Sequence, residues 1–114
     1  MRKIWLAFGL LVLGSATAYA HAVLEQANPR VGSTVRTAPR EVTLSFSQKL
    51  EPSFSSAQVT DASGARVDQG AQVSGRMIHV PVRALSPGSY RVRWHVLSVD
   101  THKTEGSFTF RVGQ

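Results

Sequence analysis

Short segments in which apolar and polar residues alternate constrain the fold of this chain more than any other feature. In the first clear segment, Val42, Leu44 and Phe46 alternate with hydroxyl-bearing residues. The same alternation recurs later, with apolar positions at Ile78, Val80 and Val82, at Tyr90, Val92, Trp94 and Val96, and at Phe108, Phe110 and Val112. A period of two is typical of half-buried β-strands. Because no segment repeats its apolar residues at helical spacing, the sequence predicts an all-β fold.

Turn signals separate these segments at intervals of about ten residues, as in small β-sandwiches and barrels. Ser86-Pro87-Gly88 precedes the third segment. Asp61-Ala62-Ser63-Gly64 predicts a hairpin turn between residues 57–60 and a weaker strand near residues 65–67. These signals predict one β-sandwich or barrel of short strands.

Two residues refine the placement of the strands. Pro81 lacks an N–H group and favours an edge position for its strand. Trp94 lies in the middle of a long segment, which predicts a central strand and the core of a Greek-key sandwich. The cysteine pair of antibody domains is absent from the sequence, so the likeness to immunoglobulin domains is architectural only.

The first twenty residues have the properties of a secretory signal peptide. A basic start is followed by an apolar stretch over residues 4–13 and by Ala18-Tyr19-Ala20, a small-x-small cleavage site. An apolar stretch of about ten residues is half of what a membrane-spanning helix needs. We therefore expect residues 1–20 to be removed, the alternative being an uncleaved anchor. The mature domain would then comprise residues 21–114 and begin at His21.

Size and cysteine content narrow the class of protein. Removing 20 of the 114 residues leaves 94, which suits one domain with a modest core. The chain has no cysteine. Disulfides, thiolate metal sites, iron–sulfur clusters and cysteine catalysis are therefore excluded.

The charge of the mature chain is moderately basic. Eleven basic and seven acidic residues would remain after cleavage, a net charge of +4, because the signal segment holds two of the 13 basic residues and no acidic one. The basic residues are scattered along the predicted strands, so we interpret them as solubilising charge rather than as a site for an anionic surface. Export argues against a nucleic-acid partner, and we expect a monomer.

Three residues could hold a metal ion. A terminal His21 would offer its α-amine and its imidazole, while Asp100 and His102 would offer a carboxylate and a second imidazole. In an extended segment, residues two apart point to the same side. Asp-x-His alone is a weak motif, and the alternative is an aspartate that accepts a hydrogen bond from a surface histidine. Together the three residues form an N3O donor set, which favours tetragonal Cu(II).

The remaining candidate donors do not suggest a second metal site. Met77 would be the only methionine of the mature chain, whereas Cu(I) prefers several sulfur ligands. We interpret Met77 as core or rim packing. His79 and His95 are expected to be surface or hydrogen-bonded histidines, with His95 the closer alternative ligand because it shares a strand with the predicted site.

Catalysis has little support in the sequence. No nucleophile elbow, H-E-x-x-H motif or phosphate-binding glycine loop is present, so we expect no enzyme and no catalytic residues. One alternative is a copper enzyme with a histidine brace, although an aspartate ligand and a small domain argue against it. The other alternative is a metal-free, immunoglobulin-like interaction domain.

Several motifs along the mature chain resemble the CopC family of periplasmic copper-binding proteins. In order, these motifs are His21-Ala22-x-Leu24, Pro29 with Gly32, Pro39 followed by Val42-x-Leu44-x-Phe46-Ser47, Leu85-x-Pro87-Gly88-x-Tyr90-x-Val92-x-Trp94, Ser98-x-Asp100-x-His102 and Gly106-x-Phe108-x-Phe110-x-Val112. The resemblance implies a seven-stranded Greek-key β-sandwich or barrel. It also implies one Cu(II) ion per chain, bound by His21, Asp100 and His102. A periplasmic role in copper capture and handover, beside a CopD-like inner-membrane protein, is implied as well.

Two departures from the family pattern concern the copper chemistry. Some members have a glutamate just after the Phe-Ser of the second strand, where this chain has the neutral Gln48. Some members also carry a methionine-rich Cu(I) site, whose methionines are absent here. The resemblance therefore implies a single Cu(II) site. Whether Gln48 or His95 contributes to it, and in which direction copper moves, stay open at this point.

Overall fold

Two four-stranded β-sheets, packed face to face, make up the described part of the protein. The structure is a computed structural model, and it describes residues 22–114; the predicted signal residues 1–20 and His21 lie outside the described residues. The strands are β1 (Leu24–Asn28), β2 (Thr34–Val35), β3 (Glu41–Phe46), β4 (Ser56–Asp61), β5 (Gln72–Ser74), β6 (Met77–Pro81), β7 (Gly88–Leu97) and β8 (Lys103–Val112). The predicted all-β sandwich is confirmed, with eight strands rather than seven.

The chain crosses repeatedly between the two sheets, as expected for a sandwich that is not built from simple hairpins. The first sheet has the order β1-β3-β6-β5 and the second the order β2-β8-β7-β4. All neighbours are antiparallel except β2, which pairs in parallel with the end of β8. A 3-10 turn, Pro52–Phe54, precedes β4. Among residues 22–114 we find no helix long and apolar enough to cross a membrane.

The core lies between the sheets and consists mainly of the apolar positions that alternation predicts, joined by Ala22, Ala27, Leu50 and Leu85. Val42, Leu44 and Phe46 of β3 are fully buried, as are Ile78 and Val80 of β6. From the second sheet the core receives Val59, Tyr90, Val92, Val96, Phe108, Phe110 and Val112. The alternation predicted for β3, β6, β7 and β8 is therefore confirmed by burial.

Trp94 lies on the inner face of β7, an interior strand, as predicted. It is half-buried rather than fully buried, and it packs against the core cluster. Its ring meets Phe46 edge-to-face, with ring centroids 5.1 Å apart and an interplanar angle of 74°. Gly106 of β8 lies opposite Trp94 in the register, and the indole covers the space that a side chain there would occupy.

The edge position predicted from Pro81 is wrong, because β6 lies between β3 and β5. Pro81 is the last residue of β6, and the pairing of β5 with β6 begins two residues earlier, at Gln72 opposite His79. The carbonyl of Pro81 accepts a hydrogen bond from the Gln69 amide at 2.8 Å. In an extended strand, the nitrogen and carbonyl of one residue point to the same side. The nitrogen of Pro81 therefore points toward the segment that precedes β5. Because β5 has not yet begun there, the missing N–H of Pro81 costs the sheet no hydrogen bond.

The hairpin turn after β4 is confirmed, but the weaker strand after it is not a full strand. The Asp61 carboxylate accepts hydrogen bonds from the amides of Ser63 and Ala65, at 2.9 and 3.0 Å. Gly64 has a φ of +89°, a conformation that glycine adopts readily. Beyond the turn, residues 65–67 make only an isolated bridge, Thr60 with Arg66. The alternation of apolar and polar residues over 65–67 is too short to form a continuous β-ladder with β4.

Candidate metal centre

The predicted ligands Asp100 and His102 lie in the tight turn that joins β7 to β8. The Ser98 amide donates to the His102 carbonyl at 3.0 Å, and the Thr101 amide donates to the Ser98 carbonyl at 2.8 Å. Thr101 has a φ of +74°. Three-residue hairpin loops commonly place their last residue in this left-handed region, where glycine is favoured. The extended segment assumed from the sequence is therefore wrong, because residues 98–102 form a closed turn.

The turn nevertheless brings the two side chains together. His102 Nδ1 lies 3.3 Å from Asp100 Oδ1, and both side chains are about two-fifths exposed, 43% for His102 and 42% for Asp100. Donors about 2 Å from one metal ion and at right angles to each other are about 2.9 Å apart. The separation of this pair is therefore close to what a shared ion requires. Within residues 22–114, no group of three or more histidine and acidic side chains is gathered for a metal.

Ser98 orients the Asp100 carboxylate. Ser98 is fully buried, and its hydroxyl donates a hydrogen bond to Asp100 Oδ1. This hydrogen bond is the main reason why the pKa of Asp100 lies below the usual value for a carboxyl, and a smaller contribution comes from His102. Together these contacts outweigh partial desolvation, which acts in the opposite direction. Asp100 is thus held as an anion in one orientation.

The first described residues lie at the same end of the sandwich as this turn. Ala22 is 1% exposed, and its carbonyl accepts a hydrogen bond from the Thr104 hydroxyl at 3.0 Å. The Val23 amide donates to Ser47 Oγ at 2.8 Å, and the Ser47 amide donates to the Val23 carbonyl at 2.9 Å. Thr104 is two residues beyond His102 on β8. The chain therefore enters the described domain beside β8, the strand that directly follows His102.

The other candidate donors lie away from this pair. His79 is on β6 of the first sheet, with its Nδ1 3.5 Å from Glu41 Oε1. His95 is exposed on the outer side of β7, opposite Glu105 of β8. Met77 is half-buried at the start of β6, in agreement with rim packing. The expectation of surface or hydrogen-bonded histidines at positions 79 and 95 is confirmed.

Sequence reasoning included Ser98 in a motif but assigned it no role. The signal that could have identified it is a serine at a position that alternation places inside, since Val96 and Ser98 share the inner face of β7 and its extension. A buried hydroxyl needs a hydrogen-bond partner. In this turn the partner is the carboxylate two residues later.

The left-handed Thr101 leads to a stability prediction. A β-branched residue at positive φ is strained by about 1–2 kcal/mol, whereas glycine is not, although glycine loses more entropy on folding. We expect Thr101→Gly to raise the free energy of unfolding of the metal-free protein by about 0.5–1 kcal/mol. Urea denaturation measures this difference. Thr109→Gly in the exposed face of β8 is the control, expected to destabilise; a destabilised Thr101→Gly would contradict the strain.

The fold and the turn define a small β-sandwich domain with a carboxylate–imidazole pair of metal-binding chemistry at one end. A family model described as the CopC domain matches residues 24–113. The copper resistance protein C of Xanthomonas campestris pv. juglandis is 38% identical over 110 residues, covering 88% of this chain and 86% of that protein. Protein YobA of Escherichia coli K12 is 36% identical over 105 residues, covering 88% and 85%. The chain belongs to the CopC family.

Solved structures agree with this assignment. CopC from Methylosinus trichosporium OB3b superposes with a TM-score of 0.77 at 34% identity, covering 82% of this chain and 94% of that one. PcoC, a methionine-rich copper resistance protein from Escherichia coli, superposes with a TM-score of 0.70 at 33% identity, covering 81% and 98%. The predicted family is confirmed, and the function of the chain is copper-related.

One relative is much longer than this chain. The copper transport protein CutJ of Bacillus subtilis is 28% identical over 109 residues, which cover 91% of this chain but 20% of CutJ. A domain of this kind therefore also occurs as one part of a larger copper transport protein.

Proposed function

We propose that the chain, after removal of residues 1–20, is a periplasmic protein that captures one Cu(II) ion and hands it over to another protein. The ligands in this proposal are the α-amine and imidazole of His21, the carboxylate of Asp100 and the imidazole of His102. The observation that carries it is the pairing of Asp100 with His102 at 3.3 Å, at the end of the sandwich where Ala22 enters. One peptide bond joins His21 to Ala22, so its donors lie within a short reach of Ala22.

The chemistry of the donors supports Cu(II) rather than Cu(I). Three nitrogens and one carboxylate oxygen suit a tetragonal Cu(II) ion, which also has the highest affinity among divalent first-row ions for nitrogen-rich sites. A carboxylate kept ionised by Ser98 adds negative charge beside the ion. Met77 is the only methionine among the described residues, so a sulfur-rich Cu(I) site has no support there. PcoC, in contrast, is described as methionine-rich.

Partial exposure of the two ligands supports a carrier. Asp100 and His102 are each about two-fifths exposed, so a partner protein can approach the ion without unfolding the turn. We propose a CopD-like inner-membrane protein as that partner. Support comes from CutJ, in which a matching domain is about one fifth of a copper transport protein.

The two alternative functions, a copper enzyme and a metal-free interaction domain, predict different experimental results. A histidine-brace enzyme would cleave a polysaccharide in a copper- and oxygen-dependent reaction. A metal-free interaction domain would leave correctly processed protein unable to bind copper. The names of the matching relatives refer to copper resistance and copper transport, which favours the carrier.

The direct test is a Cu(II) titration of processed protein whose N-terminus has been verified by mass spectrometry. We expect one equivalent of Cu(II) and a tetragonal, nitrogen-rich electron paramagnetic resonance spectrum. The spectrum should change in His102→Ala and in Asp100→Asn, while the surface control His79→Ala should match the parent. If both site variants keep the parent spectrum, copper is bound elsewhere and the proposed ligand set is wrong.

Ser98→Ala should separate the orientation of Asp100 from its presence. Losing the serine hydroxyl should move the pKa of Asp100 upward towards the usual value near 4. Groups that orient metal ligands typically contribute 10–100-fold to metal affinity, so we expect weaker Cu(II) binding within that range. Carboxyl chemical shifts in an NMR pH titration, together with copper titration, measure both effects.

The pH dependence has a defined sign. Because the folded-state pKa of Asp100 is lowered, its contribution to stability is present above about pH 4 and is lost as pH falls through the folded-state value. Ser98→Ala should reduce this acid-dependent part. An unchanged Asp100 titration in Ser98→Ala would show that the hydroxyl does not set the charge of the site.

A further inference from the structure

The outward side of the second sheet gathers arginines that are scattered in the sequence. Arg91 and Arg93 alternate with buried Val92 on β7, so both point away from the core. Arg111 is exposed on the adjacent strand β8, where it pairs with Ser89 in the register. Because β7 and β8 are antiparallel neighbours, the three guanidinium groups belong to one surface. We call it the arginine face; its outward positions are Ser89, Arg91, Arg93, Ser107, Thr109 and Arg111.

The three positive charges of the arginine face have no carboxylate partner in the part of the chain that the structure describes. The ion pairs found within residues 22–114 join Arg66 to Asp68, His79 to Glu41 and His102 to Asp100. On the face itself, Arg111 donates to the Ser89 hydroxyl at 2.6 Å, and Arg91 Nη1 lies 3.4 Å from Ser107 Oγ. Neutral hydroxyls thus orient two guanidinium groups without neutralising them.

Acidic residues lie at the borders of the arginine face. Glu105 is one row beyond the Arg93–Ser107 pair and lies opposite His95. The Asp61 carboxylate is engaged by the amides of its own turn. By comparison, the outward positions of β3 and β6 in the first sheet hold no arginine, and one arginine, Arg30, lines the groove beside Thr43 and Met77. The outer face of the second sheet is therefore distinguished by three outward arginines on two adjacent strands.

We propose that the arginine face docks onto an anionic phospholipid bilayer. Guanidinium groups pair with phosphate through two parallel hydrogen bonds, and each cationic side chain near an anionic membrane surface adds to the attraction. The outward positions of the arginine face are arginine, serine and threonine only. Large exposed apolar residues in the described chain are Val23, Val31, Phe54 and Val99, all elsewhere. Protein–protein interfaces usually depend on apolar or aromatic anchors, so a polar, cationic face fits lipid headgroups better.

Docking in this way has a consequence for the turn. β7 and β8 lead from the arginine face directly to residues 98–102, so with the face on the bilayer the turn lies at the side of the bound domain. It would stay open to a membrane protein in the same bilayer. The docking itself does not depend on copper or on the identity of its ligands.

The test uses metal-free protein comprising residues 21–114 and sedimentation with vesicles of phosphatidylcholine, with or without phosphatidylglycerol. Binding should require phosphatidylglycerol and weaken with salt. Each arginine near such a surface contributes about fivefold, so R91Q/R93Q should reduce partitioning by about 30-fold. The matched control is R30Q/R40Q, which removes the same charge from exposed positions outside the face. Circular dichroism establishes that both variants are folded.

Each result has a defined meaning. Loss in R91Q/R93Q with retention in R30Q/R40Q supports the proposal. Equal loss in both variants would mean that only net charge matters and would overturn it. Absence of binding to phosphatidylglycerol vesicles would overturn it as well. An oligoglutamate peptide is titrated in parallel; binding of that peptide without vesicle binding would assign the face to an acidic protein segment instead.

Discussion

A processed protein that carries one extra glycine ahead of His21 is expected to lose tight Cu(II) binding and to keep its fold. The extension turns the α-amine of His21 into an amide, which binds Cu(II) only after losing its own proton, and so removes the amine–imidazole chelate of the proposed site. Loss of groups that only orient ligands costs 10–100-fold in metal affinity. Removal of a ligand itself should therefore cost at least about 100-fold. Competition with a chelator of known copper affinity measures the change.

The matched control adds one glycine after Gln114, at the opposite terminus. This variant should bind copper like the parent protein. Because Ala22 and Val23 are held by Thr104 and Ser47, the extended variant should keep the parent thermal transition without metal. Unchanged affinity in the N-terminally extended protein would show that the terminal amine is not a ligand.

Truncating Trp94 is expected to have the largest effect on stability. Trp94→Ala removes the indole that packs edge-to-face on Phe46, and large-to-small changes of this kind cost about 3–5 kcal/mol. Since Trp94 is half-buried, we expect about 3 kcal/mol, measured by urea denaturation. His102→Ala, in the exposed turn, should barely alter the stability of the metal-free protein. Equal losses in both variants would contradict the separation of core and site.

Gly106 provides an independent test of the same packing. A Cβ added at Gly106 would lie 2.5 Å from Cζ2 of Trp94, so the indole would have to move. Overpacking of this kind costs about 1–3 kcal/mol, and we expect Gly106→Ala to fall in that range. In the Trp94→Phe background the smaller ring should relieve most of the cost. Additive effects of the two substitutions would show that the indole does not cover Gly106.

Local patterns were sufficient to predict β3, β4, β6, β7 and β8, but not the short strands β1, β2 and β5 or which strands are neighbours. Leu44 and Phe46 are buried because one side of β3 faces the other sheet, which a period of two already indicates. The rule about Pro81 failed because an edge is a property of the whole sheet. A proline at the end of an interior strand is tolerated where the adjacent strand has already ended.

At the candidate metal site, too, the sequence predicted the residue types and the structure revealed their arrangement. Asp100 and His102 were identified from residue type and spacing, but the reason for their closeness is a turn with Thr101 at positive φ rather than an extended strand. Ser98 acquired its role only when burial showed where its hydroxyl must find a partner. The role of His21 stays a prediction.

The amino-acid sequence by itself determined the all-β class, the longer strands with their buried faces, and the chemical types available at the turn. These properties depend on the alternation of apolar and polar side chains and on which metal-donor residues the chain contains. Both can be recognised from the order of residues alone. Only the tertiary structure decided the strand order and the closure of the 98–102 turn. It also decided the meeting of Arg91 and Arg93 with Arg111 on one surface. These properties depend on pairing between residues distant in sequence, which no local pattern specifies.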